Sequence, residues 1–292
     1  MFKRKLSNKE WLLAALALVS ILIVSHIVLL RYRKKNRTES TTKSAGGLQV
    51  KPPAPLFSPP VLPEEYKRER KPVIAVVIDD LGYDEAIADK LAQINLGITI
   101  SILPYLPNSQ TTAQNAHKRG QEILLHIPME PLDEEKLYPL QPGMLLLEMS
   151  ASQIRREIGR QLSAVPHIVG ANNHMGSLFT GSRQAVLPVL EQIQNQGLFF
   201  MDSVTGPHSV AYDTAVELGI PALQRDIFLD DLPDKDYTLH QLALTVKLAR
   251  EKGSAIAIGH PHLSTIEALE EFIPQLEGQG VELVKVSQLL DL

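Results

Sequence analysis

The sequence predicts an α/β fold: a distorted (β/α) barrel of seven or eight units, preceded by a single transmembrane helix and a proline-rich linker. Three observations lead there. Short apolar, β-branched runs alternate with amphipathic stretches from residue 72 to the end of the 292-residue chain. One apolar run of about 20 residues stands near the N-terminus, the length that crosses a bilayer core as a helix. Prolines crowd the interval between the two. Such alternation also fits a doubly wound open sheet, so two arrangements stand at this point.

Composition narrows the chemistry. Hydrophobic residues make up 44% of the chain but aromatic ones only 5%, which suits an aliphatic α/β core. Cysteine is absent, so thiolate ligation is impossible and any metal must be held by His, Asp or Glu. Residues 1–71 carry 15 Lys+Arg against 5 Asp+Glu, leaving 14 against 28 in residues 72–292, a balance of −14. A domain so acidic is a poor partner for nucleic acid.

The N-terminal segments are read from their composition. Residues 1–10 form a short basic cytoplasmic end, and Trp11 to Leu30 the transmembrane anchor. A cleaved signal peptide is the other reading, but the run passes straight into Arg31, Arg33, Lys34 and Lys35 without a small-residue cleavage site. Residues 31–71, basic and then rich in proline, form a semi-extended spacer. The expected placement is the inner membrane, single-pass, with residues 72–292 as one domain in the periplasm.

That domain opens on Val73 to Ile78, six apolar residues that are mostly β-branched. The run is too short for a free-standing helix and too continuous for a strand with one wet face, so it reads as a strand buried on both sides. Asp79 and Asp80 stand at its end. Desolvating a carboxylate is costly without a compensating cation or donor, so the pair suggests a metal or acid–base chemistry. Capping of the next helix by Asp80 or Asp84 is the plainer alternative.

Further strands are expected over 97–103, 122–127, 168–171, 198–201, 220–223, 255–259 and 281–286. Helices are expected over 84–94, 108–119, 150–164, 183–196, 237–252 and 264–275, with Pro188 kinking the fourth. Glycines 170 and 176 are expected to let the backbone approach a ligand. The acidic run from Leu229 to Asp236 lacks the spacing of a calcium loop and reads as a solvated turn.

Polar residues gather where these strands end: Asp79 and Asp80, His126, then Asn172, Asn173 and His174, Asp202 and Ser203, Arg225 and Asp226, His260 and His262. In a parallel barrel those ends share one rim, where catalytic groups sit. Two imidazoles and a carboxylate around an open position suit a borderline divalent ion such as zinc. The expected arrangement is Asp80, His126 and His174 on the metal, Asp79 as base and His260 as acid.

These residues resemble a known family. Asp79-Asp80-Leu81-Gly82, His126-Ile127-Pro128-Met129-Glu130, Asn172-Asn173-His174-Met175-Gly176, Asp202-Ser203, Arg225-Asp226-Ile227-Phe228-Leu229-Asp230 and Gly259-His260-Pro261 are similar to the motifs of the divergent polysaccharide deacetylases, relatives of the carbohydrate esterase family four enzymes. The resemblance implies a (β/α) barrel, a metal held by Asp and His, and hydrolysis of N-acetyl groups on a glycan. By position, Asp79 matches the base, Asp80 and His126 the ligands, and His260 the acid. The wider family has a second His one turn after the first, where this chain has Glu130, so either His174 or Glu130 supplies the third ligand. Asn172, Asn173, Asp202, Ser203, Arg225, Asp226 and His262 are expected to touch substrate or to hold the groups that do. The function expected is a metal-dependent hydrolase acting on an acetylated amino-sugar polymer of the envelope; a non-catalytic glycan-binding or scaffolding protein on the same barrel is the alternative.

Overall fold

The computed structural model describes residues 71–132 and 141–292. The expected cytoplasmic end, anchor and linker lie outside the described residues, apart from Lys71. Among the described residues no helix is long and apolar enough to cross a membrane.

A parallel sheet curls around the core. Its strands in chain order are β1 (Val73–Leu81), β2 (Thr99–Ile102), β3 (Ile123–Met129), β4 (Gly170–Met175), β5 (Phe199–Asp202), β6 (Ala222–Gln224), β7 (Ile227–Phe228), β8 (Ser254–Gly259) and β9 (Glu282–Leu283). They lie in the order β6-β5-β4-β3-β2-β1-β8-β7, with β9 added beside the start of β1. The sheet's two edges meet at one stretch of chain. Arg225 N–H donates to Asp202 O at 3.0 Å on the β5 side, and Asp226 N–H donates to Ile256 O at 2.9 Å on the β8 side. A single bent segment thus changes partner between two residues. Of the two arrangements that the alternation of strand and helix in the sequence allowed, this is the curled (β/α) one.

The helices covering the sheet are α1 (Glu85–Ile94), α2 (Ser109–Lys118), α3 (Ala151–Ala164), α4 (Arg183–Asn195), α5 (Ala211–Glu217), α6 (Lys235–Lys252) and α7 (Leu263–Phe272). Side-chain caps open four of them, among them α1, α3 and α6. Asp84 accepts from Ala86 N–H at 2.9 Å, Ser150 forms a reciprocal capping box with Gln153, and Asp234 accepts from Tyr237 N–H at 2.9 Å. Capping of α1 therefore falls to Asp84, which releases Asp80. α4 continues from Arg183 to Asn195 through Pro188.

Side-chain parity separates two cores. Ile74, Val76 and Ile78 of β1 face the helices, together with Ile123, Leu125 and Ile127 of β3. Ala75, Val77, Leu124, Phe199, Met201, Ile256 and Ile258 fill the interior, joined by Val286 and Leu289. Those last two belong to a 3-10 turn, Val286–Asp291, that plugs the end of the barrel where the strands begin. The expected last strand over 281–286 shortens to Glu282–Leu283, because the chain then turns inward. Buried Glu122 anchors the plug, accepting from Thr99 Oγ1 at 3.0 Å, Ser287 N–H at 3.1 Å and Ser287 Oγ.

Two sequence expectations change here. Asn172, Asn173 and His174 lie within β4 rather than beyond it, since the strand is carried to Met175 by pairing with β3 as far as Met129. Gly170 answers to packing, because a Cβ there would meet the Phe199 ring at 2.6 Å. At Gly176, φ is +91° and a Cβ would lie 2.9 Å from Met129 Cβ.

Candidate active site

The same parity builds the site. Continuing each inward row upward from the interior core gives Asp79 on β1, Ser101 on β2, His126 on β3, Asn172 and His174 on β4, Ser203 after β5 and His260 after β8. Hydrophobic residues fill the lower layers; above them the same rows carry polar groups.

Three electron-pair donors converge at the top. Asp80 Oδ1 lies 2.8 Å from His174 Nδ1 and 3.1 Å from His126 Nε2, and the two nitrogens are 3.2 Å apart. Despite those separations, buried Asp80 Oδ1 makes no hydrogen bond of acceptable geometry, and neither does His174 Nε2. A divalent ion with ligand bonds of about 2.0–2.2 Å sets neighbouring donors roughly 3 Å apart, so the three residues fit such an ion. The backbone at Asp80 is left-handed, with φ of 60°, which turns its side chain away from the parity of β1 and toward the two imidazoles. Burial raises the Asp80 carboxyl, but the imidazoles beside it outweigh that and hold it well below the ordinary carboxylate range. Glu130 stands elsewhere in the network: its Oε2 accepts from Leu147 N–H at 2.7 Å.

Asp79 sits beneath this corner, 2% exposed, with Oδ2 3.7 Å from His126 Nε2. Asn172 Nδ2 donates to both its oxygens, at 2.9 and 3.1 Å. Burial pushes the Asp79 carboxyl up, an effect that the charges of His126 and His260 and the Asn172 N–H offset only in part. A carboxylate so placed is a stronger proton acceptor than one in water.

On the facing side stands His260. Asp230 grips it twice, accepting from His260 N–H at 2.6 Å through Oδ2 and contacting His260 Nδ1 at 3.0 Å through Oδ1. Thr265 Oγ1 also donates to Oδ2, at 2.7 Å. Burial alone would lower His260, but Asp230, Asp80 and Asp79 raise it to about 9. Its imidazolium is thus the form present at neutral pH.

Most other expected site residues are engaged by the protein itself. Asn173 accepts from Ser203 N–H at 2.9 Å and donates to Met175 O at 2.8 Å. Asp202 accepts from Val204 N–H at 2.8 Å and Ser209 Oγ at 2.6 Å. Arg225 donates to Ser203 O at 2.6 Å and Val204 O at 2.7 Å, which braces a turn where β-branched Val204 has φ of 49°. Asp226 accepts from Ile256 N–H at 2.9 Å and Lys252 Nζ at 3.1 Å at the sheet edge, away from the donor triangle. Ser203 Oγ accepts from Asn172 Nδ2 at 3.1 Å, and exposed His262 precedes α7, its ring centroid 6.0 Å from that of His260.

Two contributors escaped the sequence reading. Ser101 was hidden in an apolar run, although its alternation with Thr99 placed it on the inward face. Asp230 closes the motif that starts at Arg225 but was given no role and was read as part of an acidic turn; its position just past a strand end was the available signal.

Known proteins share this framework. The family model described as divergent polysaccharide deacetylase matches residues 76–290. The uncharacterized protein YibQ of Escherichia coli (strain K12) is 36% identical over 218 residues, covering 75% of this chain and 67% of that protein. An uncharacterized protein of Haemophilus influenzae (strain ATCC 51907 / DSM 11121 / KW20 / Rd) is 36% identical over 216 residues, covering 74% and 76%. The crystal structure of uncharacterized protein ATU2773 from Agrobacterium tumefaciens C58 superimposes with a TM-score of 0.71 at 26% identity, covering 77% of this chain and 91% of that one. With the match running from the first core strand to the C-terminal plug, the chain belongs to the divergent polysaccharide deacetylase family.

Proposed function

We propose that the chain is a metal-dependent hydrolase that removes N-acetyl groups from an amino-sugar polymer or oligosaccharide of the cell envelope. The observation that carries this reading is the triangle of Asp80 Oδ1, His126 Nε2 and His174 Nδ1, flanked by a buried carboxylate and a His260 held protonated. Asp80, His126 and His174 hold the ion, zinc being the choice best suited to two imidazoles and a carboxylate. When bound, that ion supplies Lewis acidity toward a carbonyl oxygen and a water. Asp79 takes the proton from the attacking water, because burial disfavours its charged form. His260 gives a proton to the departing amine, and Asp230 keeps it loaded and aimed. Ser101, Asn172 and Ser203 hold the base from below.

The glycan-binding or scaffolding alternative is favoured by one observation. Asn173, Asp202, Arg225 and Asp226 spend their polar groups on the protein, leaving few of the expected substrate contacts. Acetate release by the metal-loaded full chain from N-acetylated chitin and peptidoglycan oligosaccharides, abolished by Asp79→Asn, supports the enzyme. No release from either polymer class with the metal fully loaded favours the alternative.

The proposed setting is the periplasmic face of the inner membrane, with Trp11 to Leu30 as anchor. The proline-rich part of the linker, about 20 residues by composition, would at roughly 3.1 Å per residue allow a reach on the order of 60 Å, far enough to meet an envelope polymer. Alkaline phosphatase fused after residue 292 is then active. A reporter that works only in the cytoplasm, active at that point instead, removes the envelope glycan as substrate.

A further inference from the structure

We propose that Asn172 is a positioning residue whose single amide fixes both the Nδ1–H tautomer of His126 and the orientation of the Asp79 carboxylate. This rests on the hydrolase reading only for the names of those two roles.

The argument is one of donors and acceptors. Asn172 Oδ1 lies 2.5 Å from Ser101 Oγ and 2.9 Å from His126 Nδ1, while Nδ2 lies 2.9 and 3.1 Å from the two oxygens of Asp79. An ionised carboxylate only accepts, so the amide must turn its NH₂ toward Asp79. Its oxygen then faces Ser101 and His126, and an amide oxygen also only accepts. His126 Nδ1 must therefore carry the proton. A neutral imidazole has one N–H and one lone pair, which leaves Nε2 bare and directed at Asp80 and His174. The reverse amide orientation would set an oxygen against the Asp79 carboxylate and reverse the tautomer.

Water offers no substitute for these partners: Ser101 and Asn172 are 0% exposed and His126 1%. Metal-binding histidines ordinarily give their second N–H to a carboxylate or a backbone carbonyl. Here a side-chain amide takes that place and is shared with the base, so one residue prepares two groups with different tasks. Register enforces the sharing, since Asn172 on β4 is paired directly with His126 on β3.

The test uses the metal-free full chain labelled with ¹⁵N at histidine, with the pH raised until the His126 shifts stop changing so that the neutral ring is the form read. Burial opposes the His126 imidazolium, but Asp79 and Asp80 beside it favour that form more strongly. Long-range ¹H–¹⁵N spectra, with His126 assigned by His126→Gln, are expected to show the Nδ1–H tautomer in the wild type and a mixture in Asn172→Leu. Cobalt(II) affinity, followed by its absorption spectrum, is expected to fall about 10–100-fold in Asn172→Leu, the usual cost of losing such a partner. Isosteric Asn172→Asp keeps an acceptor toward His126 and is expected to retain the tautomer. It decides the matter if Asn172→Leu fails to fold, because loss of the Nδ1–H form in Asn172→Asp overturns the proposal. An unchanged tautomer and cobalt affinity in folded Asn172→Leu overturns it equally. Neither readout requires turnover, so a chain that shows the tautomer and binds metal yet releases no acetate refutes the hydrolase reading alone.

Discussion

Asp230 holds His260 by both its ring and its backbone, at 3.0 Å to Nδ1 and 2.6 Å to the main-chain N–H. Removing the charge by Asp230→Asn should let His260 fall from about 9 toward its ordinary value near 6.5. The alkaline limb of kcat/KM should move down with it, as read from a pH–rate profile. Folding stability carries the same sign. A raised histidine stabilises fully below its unfolded value near 6.5, and that contribution is lost as pH rises through about 9. Urea unfolding across pH 6–10 should show a steeper loss in wild type than in His260→Ala.

Metal content should depend on each corner of the triangle. Asp80→Ala, His126→Ala and His174→Ala should each lower occupancy strongly, measured by elemental analysis after dialysis, because a three-ligand site loses much of its affinity with any one ligand. Glu130→Ala should keep the ion, since Glu130 Oε2 is spent on Leu147 N–H. Loss of the ion in Glu130→Ala with retention in His174→Ala would reassign the third ligand.

The plug should matter to stability alone. Ser287→Ala strips the buried Glu122 carboxylate of one of its donors and should cost about 1.5–3 kcal/mol in urea unfolding, with metal affinity unchanged. A cost under about 0.5 kcal/mol would mean that the Glu122 cluster does not fasten the C-terminal turn.

Arg225 should act on turnover without touching the metal. Arg225→Ala leaves Ser203 O and Val204 O without their donor and should lower kcat about 10–100-fold at constant metal content, through displacement of Ser203 from Asn172. Arg225→Lys should not restore it, because an ammonium cannot span two carbonyls as the planar fork does. An effect confined to KM would instead place Arg225 against substrate.

Much of this site was legible because strand ends in a curled parallel sheet share a rim, and chemistry-bearing residues in the sequence fell at those ends. Asp80, His126 and His174 could be grouped on that ground. What could not be read was direction. The left-handed backbone at Asp80 turns that side chain toward the imidazoles, while Asp226 goes to the sheet edge and Arg225 to a turn, although all three stand at strand ends. Ser101 was invisible as a polar residue because its neighbours set the apolar average, and only period-two parity exposes it. The short last strand was misjudged since a segment such as Val281 to Val286, apolar except for Glu282 and Lys285, serves a strand and a buried plug equally well.

The bent segment joining β6 to β7 bears on association between molecules. A sheet edge with unpaired N–H and C=O groups invites another chain to add a strand, and soluble proteins commonly blunt such edges with charge, proline or bulges. Here each edge finds its ladder partners in the same short run, through Arg225 to β5 and through Asp226 and Leu229 to β8. Among the described residues this one bent run covers β5 and β8, and the strands at the two ends of the order are only the short β6 and β7. Edge-to-edge addition is thereby confined to strands of three and two residues, and Arg225 and Asp226, the two residues between them, are where an insertion would uncover the longer β5 and β8.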